Sequence, residues 1–200
     1  MNDRAKELQT EYRKRIEKYK QFGCDIEAER KFIIHKVYPL SGKILEIGTG
    51  KGYSTLVLAR EGFCFVSVDI SAEEQKIARL SLESLGLEKN VDFQIANAEK
   101  LKFENNLFDV VIAINVIHHF FNPYVAIDEL MRVASLKGKI VLSDFTEEGF
   151  KLVDRIHRQD GKRHDQGNVG LKEIAKYLTG RKYSLDKFKS KFQEGIIVCR

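Results

Sequence analysis

Three alternate glycines, Gly48, Gly50 and Gly52, stand between a short apolar run and a helix-prone segment. Glycine adopts positive φ angles without strain and lets a ligand approach the bare backbone, so the pattern is typical of a ligand-binding loop. The apolar run at residues 43–47 predicts a buried strand, which places the loop at the carboxyl end of that strand. Ligands of doubly wound α/β sheets bind at this edge, and we therefore expect a nucleoside there.

Spacing and charge narrow the choice of nucleoside. A dinucleotide fingerprint, Gly-x-Gly-x-x-Gly, would need its third glycine at position 53, where this chain has Tyr53. A phosphate-binding P-loop would end in Gly-Lys-Ser/Thr, whereas the chain has Gly50-Lys51-Gly52. Glu46 places a carboxylate just before the loop, where it would repel a phosphate and favour a cationic ligand.

An acidic residue, Asp69, ends the second apolar run, 19 residues after Gly50, the middle glycine of the loop. A carboxylate at the end of a second strand is well placed to accept hydrogen bonds from both hydroxyls of a ribose. Alternatively, Asp69 only caps the helix that follows it. The neighbouring glycine loop favours the ribose role.

The elements that would position these residues alternate between strands and helices. Apolar runs predict five strands, at residues 43–47, 64–68, 91–96, 108–115 and 139–145. Helical periodicity predicts helices at residues 53–61, 72–85 and 124–134. Such strands, rich in Val, Ile and Leu and separated by helices, indicate a parallel sheet covered on both faces. With two edge strands predicted at residues 182–192 and 195–199, we expect a doubly wound α/β fold with a mostly parallel seven-stranded sheet.

Helical segments are also predicted on both sides of the alternating region. An amphipathic helix covers residues 4–21, and a second helix begins after a cap at Asp25 and stops before Pro39. Helices at residues 147–158 and 171–178 flank a polar loop. The chain has 200 residues, of which 43% are hydrophobic, and it shows no internal repeat, so one domain spanning residues 1–200 is expected.

Taken in order, these motifs resemble the class I S-adenosylmethionine-dependent methyltransferases over roughly residues 30–145. Glu46 and the three glycines are similar to the first motif of that family, and Asp69 stands at the position of its ribose-binding acid. The resemblance continues through Asn97-Ala98-Glu99 and through the segment Asn115-Val116-Ile117-His118-His119-Phe120. The chain looks most like the branch that methylates small molecules such as quinone precursors. It departs from the pattern at Asn97, where aspartate is commoner, and at Lys137-Gly138-Lys139, where Pro-Gly-Gly is usual.

The resemblance implies S-adenosylmethionine as the cofactor and no metal. Glu46 would orient the methionine end of the cofactor, and Asn115 and Val116 would border the reacting methyl group. The residues expected to bind the cofactor are Glu46, Gly48, Thr49, Gly50, Gly52, Tyr53, Asp69, Ile70, Asn97, Ala98, Glu99, Asn115 and Val116.

Polar residues near the ends of the fourth and fifth strands are candidates for the acceptor side. His119 is predicted to act as general base, because a histidine at this position can take a proton from an oxygen or nitrogen acceptor. Alternatively, its ring only packs or caps the next turn. His118 and Asp144 are predicted to contact the substrate, and a role for Asp144 as a helix cap is the alternative.

Two outlying regions are expected to complete the site. Residues 1–40 would form a helical lid over the cofactor, with simple packing against the sheet as the alternative. Residues 146–180 correspond to the variable region in which this family commonly builds acceptor pockets. There, His157 and His164 are predicted to contact the substrate, among arginines and lysines that suit an anionic acceptor. A solvated polar loop would have the same composition.

We therefore expect a methyltransferase that acts on a small polar acceptor. The net charge of +5 leaves an RNA methyltransferase as an alternative, although no RNA-binding module is visible. A nicotinamide-dependent oxidoreductase and a non-catalytic cofactor-binding module are further alternatives. The sequence lacks a run of about 18 apolar residues that would cross a membrane, and we expect a cytoplasmic monomer or homodimer without a membrane partner.

Overall fold

A single seven-stranded sheet organises the computed structural model, which describes residues 3–161 and 167–199. Its strands are β1 (Ile44–Ile47), β2 (Phe65–Asp69), β3 (Val91–Ile95), β4 (Phe108–Ile114), β5 (Ala134–Phe145), β6 (Ser184–Lys189) and β7 (Gln193–Cys199). They lie in the order β3-β2-β1-β4-β5-β7-β6. Strands β1 to β5 pair in parallel, and β7 is antiparallel to both of its neighbours. The predicted fold class, mostly parallel with seven strands, is confirmed.

Within the described residues, seven α-helices accompany the sheet. They are α1 (Asp3–Gln21), α2 (Ile26–His35), α3 (Tyr53–Arg60), α4 (Ala72–Glu83), α5 (Pro123–Val133), α6 (Glu147–Gln159) and α7 (Leu171–Gly180). Side chains cap several of them, as Asp25 does for α2 by accepting a hydrogen bond from Ala28 N (3.1 Å). The direction in which strands are added reverses between β1 and β4, and their carboxyl ends therefore meet at the point where such sheets bind ligands.

The prediction that residues 195–199 form an edge strand was wrong. Strand β7 lies between β5 and β6 and pairs with both. Its side chains Ile196 and Val198 are buried, whereas β6 carries charged residues and lies at the edge. The physical reason is the composition of the two strands. An apolar strand is more stable when a neighbouring strand covers each of its edges, whereas a charged strand tolerates the exposed edge of the sheet.

Beyond the two faces of the sheet, a third apolar cluster holds the outer helices together. It joins Tyr19 of α1 and Ile26 of α2 to Val153 and Ile156 of α6. Because of this cluster, α1, α2 and α6 meet above the carboxyl edge of the sheet. None of the helices within the described residues is long and apolar enough to cross a membrane.

Candidate active site

A cavity of about 610 Å³ opens at the carboxyl edge of the sheet, between the glycine loop and helices α1, α2 and α6. Its volume is within the range of small-molecule and cofactor sites. The sequence-predicted residues that line it are Gly48, Thr49, Gly50, Tyr53, Asp69, Ile70, Asn97, Ala98, Glu99, Asn115, Val116, His118, His119 and His157. The structure thus brings most of the predicted site into one cavity.

The three glycines of the loop have different surroundings, although all have positive φ angles. A Cβ atom on Gly48 would lie 2.7 Å from Val116 Cγ2, and one on Gly52 would lie 2.7 Å from Ala78 Cβ. A Cβ atom on Gly50 would meet nothing within 4 Å. Gly48 and Gly52 are therefore required for packing, whereas Gly50 presents bare backbone to the cavity.

Glu46 lies beneath the loop and does not line the cavity. Its Oε2 accepts hydrogen bonds from Thr55 Oγ1 (2.7 Å) and Ser67 Oγ (2.6 Å). Its Oε1 is buried without a hydrogen-bond partner among the described residues. Burial raises the pKa of Glu46 to about 7, although the two hydrogen bonds oppose this shift. This position makes Glu46 a support for the loop.

A chain of buried polar groups extends from Glu46 and fixes the loop conformation. Thr49 Oγ1 lies 2.6 Å from Ser67 Oγ, and Gln75 Nε2 donates to Thr49 Oγ1 (3.2 Å). Gly48 N and Thr49 N both donate to Val68 O, at 2.8 and 3.1 Å. Buried hydrogen bonds of this kind restrict the loop to one backbone geometry.

The carboxylate of Asp69 faces the loop from the end of β2. Its Oδ2 accepts from Gly50 N (2.7 Å), and its Oδ1 accepts from Ser71 N (2.8 Å). The cap of α4 is Ser71, so the alternative role of Asp69 as that helix cap was wrong. A carboxylate offers about four acceptor positions, which leaves two for hydroxyls of a ligand.

At the end of β3, the segment Asn97-Ala98-Glu99 turns along the cavity wall. Asn97 Oδ1 accepts a hydrogen bond from Glu99 N (2.9 Å), which closes a tight turn. The Glu99 carboxylate accepts from Asn122 N (2.9 Å) and thereby connects this turn to the start of α5. The segment is held rigidly beside Asp69.

Asn115, directly after β4, is the centre of a cluster of polar side chains. Of this cluster, only Asn115 was predicted from the sequence. Its φ angle of 54° is a left-handed conformation that asparagine tolerates better than most residues. In the amide orientation that satisfies its hydrogen bonds, Asn115 Nδ2 donates to Gln193 Oε1 (2.7 Å), and its Oδ1 accepts from Arg30 Nη2 (2.7 Å). Gln193 and Arg30 are both buried. They bring β7 and α2 into the site.

Arg30 was missed by the sequence reasoning. It is 4% exposed and lines the cavity, and no carboxylate in the described ranges forms an ion pair with it. Burial lowers the pKa of Arg30 below its usual value, yet a guanidinium stays charged in proteins. The signal was present, because Arg30 lies at helical spacing from Ile26 and Ile34, on the apolar face of α2. A buried, uncompensated cation in a cavity is unfavourable without an anionic ligand.

Charges are separated along the cavity. The acidic side chains Asp69, Glu74 and Glu99 lie where β2, α4 and β3 meet. Lys51 also lines the cavity, with its Nζ 3.8 Å from Glu74 Oε1. The guanidinium of Arg30, from α2, is bonded to Asn115 after β4, across β1 from Asp69, and that of Arg15 comes from α1. A ligand that lies across this cavity would therefore match it best with hydroxyls or cations at one end and an anion at the other.

His118 forms a buried pair with Asp144. Its Nδ1 lies 2.7 and 2.8 Å from the two carboxylate oxygens, and both side chains are 3% exposed. Asp144, predicted to contact the substrate, is paired with His118 and does not line the cavity. A carboxylate at Nδ1 holds the proton there and orients the ring. His119 is exposed at the mouth, and the centre of its ring lies 4.1 Å from that of His118.

The two outer histidines of the prediction have different outcomes. His157 of α6 lines the cavity, and its Nε2 lies 2.9 Å from Arg15 Nη2. His164 lies outside the described residues.

Residues 45–142 match a family model described as a methyltransferase domain. The chain is 32% identical over 120 residues to a demethylmenaquinone methyltransferase of Clavibacter sepedonicus, which covers 60% of this chain and 48% of the relative. It is 30% identical over 121 residues to a phosphatidylethanolamine N-methyltransferase of Cereibacter sphaeroides, covering 60% of this chain and 59% of the relative. The chain spans about half the length of the curated relatives it matches.

The fold has close counterparts among solved structures. A crystal structure of a putative S-adenosylmethionine-dependent methyltransferase from Methanococcus maripaludis superposes with a TM-score of 0.71 at 15% sequence identity. The superposition covers 94% of this chain and 91% of the other. The order of the motifs and the cavity agree with this match, and residues 45–142, about half of the chain, are similar to the methyltransferase-domain family.

Proposed function

We propose that this protein transfers a methyl group from S-adenosylmethionine to a small polar acceptor molecule. The observation that carries the proposal is the cavity, where the open backbone at Gly50 lies beside the carboxylate of Asp69. The guanidinium of Arg30, which also lines the cavity, would complement the carboxylate of the methionine tail. The match to the methyltransferase-domain family supports the same cofactor.

Each end of the cofactor finds a matching group in this chain. Bound S-adenosylmethionine would supply an electrophilic methyl carbon attached to a positively charged sulfur. Asp69 would accept the ribose hydroxyls, as its remaining acceptor positions allow. Arg30 would pair with the methionine carboxylate, and Asn115 would orient Arg30 through their hydrogen bond. Asn115 and Val116 would border the reacting group, as predicted from the sequence.

Positioning accounts for much of the rate that such a site needs. Holding a donor and an acceptor in line can contribute about 7 to 11 kcal/mol without a dedicated chemical group. The helices α1, α2 and α6 above the cavity would exclude water from the reacting atoms.

Binding measurements on Asp69→Ala test the cofactor assignment. Charged hydrogen bonds contribute about 1.5 to 3 kcal/mol each, so the substitution should weaken S-adenosylmethionine binding about tenfold or more in calorimetry. Asp186→Ala, an exposed aspartate on the edge strand β6, serves as the matched control and should leave the dissociation constant unchanged. An unchanged constant for Asp69→Ala would refute the ribose role.

The acceptor is best sought without assuming its identity. The two relatives named above act, by their names, on a quinone precursor and on a phospholipid, and a small acceptor is what this cavity suits. Incubation of the protein with radiolabelled cofactor and fractionated cell extract should transfer label to the small-molecule fraction. Label that enters RNA or protein instead would contradict a small acceptor.

For the general base, the hydrogen bonds to Asp144 favour His118 over the His119 of the sequence prediction. Once the label has identified an acceptor, His118→Gln should lower kcat by about 10²-fold or more if proton removal is required, while cofactor binding is retained. His119→Gln is the matched comparison. A loss of kcat in His119→Gln alone would return the role to His119.

A further inference from the structure

A second guanidinium, that of Arg15, lines the cavity beside His157 of α6. We infer that this group, beside His157 and Tyr53, binds an oxyanion carried by the methyl acceptor, either a carboxylate or a phosphate ester. The inference rests on the proposed function and adds the chemical class of the acceptor.

The contacts of Arg15 leave its charge uncompensated. Its Nη2 lies 2.9 Å from His157 Nε2, so that nitrogen is the acceptor and the imidazole is neutral in this arrangement. Asp160 is an acid that raises the pKa of Arg15, but its ion pair is with Lys18. Across residues 3–161 and 167–199, no carboxylate forms an ion pair with Arg15. An oxyanion in the cavity would supply the missing negative charge.

A buried hydroxyl next to Arg15 points to the same ligand chemistry. Tyr53 lines the cavity, and its Oη is buried without a hydrogen-bond partner in the described part of the chain. Arg15 is close enough to Tyr53 for the two groups to influence each other's titration. An unsatisfied buried hydroxyl is unfavourable, and an oxygen atom of a ligand bound to Arg15 would satisfy it.

The cofactor itself does not account for Arg15. S-adenosylmethionine carries one carboxylate, and Arg30, which is bonded to Asn115 at the end of β4, is the guanidinium proposed to pair with it. Arg15 instead contacts α6, in the region predicted to build the acceptor pocket. The cofactor thus supplies one anion for two guanidinium groups. Arg15, the second of them, is left to bind the other substrate, the methyl acceptor.

The remaining wall of this part of the cavity is apolar. It includes Ile26, Phe145 and Val153 together with the ring of Tyr19. The acceptor that fits is therefore an apolar body with a single acidic group. A guanidinium binds such a group through two parallel hydrogen bonds.

Ligand-observed NMR with model compounds tests the inference. The protein is first saturated with S-adenosylhomocysteine, the demethylated cofactor, and is then titrated with benzoate, with phenyl phosphate and with neutral benzamide. Benzoate or phenyl phosphate should bind at least about tenfold more tightly than benzamide, and Arg15→Gln should remove this preference. Whichever of benzoate and phenyl phosphate binds more tightly indicates whether the acceptor carries a carboxylate or a phosphate ester.

Matched variants separate the possible outcomes. Arg13→Gln, an exposed position on the same helix, should bind the oxyanions like the unaltered protein, and Arg15→Gln should keep its affinity for S-adenosylhomocysteine. Equal binding of benzoate and benzamide, undiminished benzoate binding by Arg15→Gln, or competition between benzoate and S-adenosylhomocysteine would each overturn the inference. Failure of the unaltered protein to bind S-adenosylhomocysteine would instead contradict the proposed function.

Discussion

At the scale of single residues, the buried carboxyl group of Glu46 makes the stability of this protein depend on pH near neutrality. Burial is the largest influence and raises its pKa from 4.5 to about 7, against the hydrogen bonds from Ser67 and Thr55. Between these two values, the folded state holds a proton that the unfolded chain has released. Folding then takes up a proton, so stability falls as the pH rises from about 4.5 to 7 and stays reduced above.

Glu46→Gln should remove this dependence. Relative to the unaltered protein, the variant should gain about 2 to 3 kcal/mol of unfolding free energy between pH 5 and pH 8, because the amide has no charge to bury. Urea unfolding at the two pH values measures the difference. Glu104→Gln, at an exposed position, is the control and should show no such gain. A constant difference between Glu46→Gln and the unaltered protein would mean that Glu46 is ionised in the folded state.

At the scale of elements, the packing of α6 against the connection between β6 and β7 requires a residue without a side chain, Gly149. Thr146 caps α6 and also donates to Lys191 O (2.7 Å), which ties the start of the helix to the β6–β7 connection. Gly149 follows within the first turn, and a Cβ atom there would overlap the carbonyl oxygen of Phe192. The helix that carries His157 is therefore fixed by backbone contact with the sheet.

Gly149→Ala should reverse the usual effect of replacing a helical glycine. The substitution normally stabilises a helix by up to about 1 kcal/mol, but here overpacking should cost about 1 to 3 kcal/mol. Denaturant unfolding measures the net change in the free energy of unfolding, which combines the gain in helix propensity with the cost of overpacking. Gly180→Ala, in α7, meets nothing within 4 Å and should be neutral or slightly stabilising. Equal stabilisation of both variants would show that α6 can shift away from β7.

The elements that the sequence predicted correctly are those that form because of their own residues and the residues next to them. Asp25 caps α2 as predicted, and apolar runs marked β1 to β5, because caps and periodicity are properties of neighbouring residues. The place of β7 depends on which strand it pairs with, and pairing between distant segments leaves no local mark. Arg30 and Gln193 were missed for the same reason, since they join Asn115 only after α2 and β7 have docked.

Within the site, the sequence predicted which backbone segments line the cavity better than it predicted what individual side chains do. Glycines and strand ends are placed by the topology, so Gly50 and Asp69 meet as expected. Glu46 and Asp144 turned out to stand behind the cavity wall, one beneath the loop and one behind His118. Whether a side chain lines the cavity or lies behind its lining is determined by side-chain packing, and the spacing of residues along the chain does not reveal that packing.

At the scale of the whole molecule, the outer helices meet across the cavity. α1 contacts α6 through Arg15 and His157 and through the ion pair of Lys18 with Asp160, and Tyr12 stacks on Tyr53 at 5.3 Å between ring centres. Several of these contacts are polar and partly exposed, and such contacts contribute little free energy individually. The lid role predicted for residues 1–40 thus implies that α1 opens at low cost.

Hydrogen exchange should detect this opening. We expect the backbone amides of α1 to exchange more slowly once S-adenosylhomocysteine is bound, because a ligand beneath the helix stabilises the closed arrangement. The edge strand β6 should exchange at the same rate with and without the ligand. If α1 is already fully protected in the free protein, simple packing against the rest of the fold replaces the lid.

The insertion of β7 between β5 and β6 also bears on how the protein is made. On the ribosome, β1 to β5 and the glycine loop emerge well before Gln193, which supports Asn115 from β7. Until that strand arrives, β5 has an open side and the side chain that orients Asn115 is absent. A nascent chain would therefore acquire affinity for its cofactor late in translation, after most of its sheet has already formed.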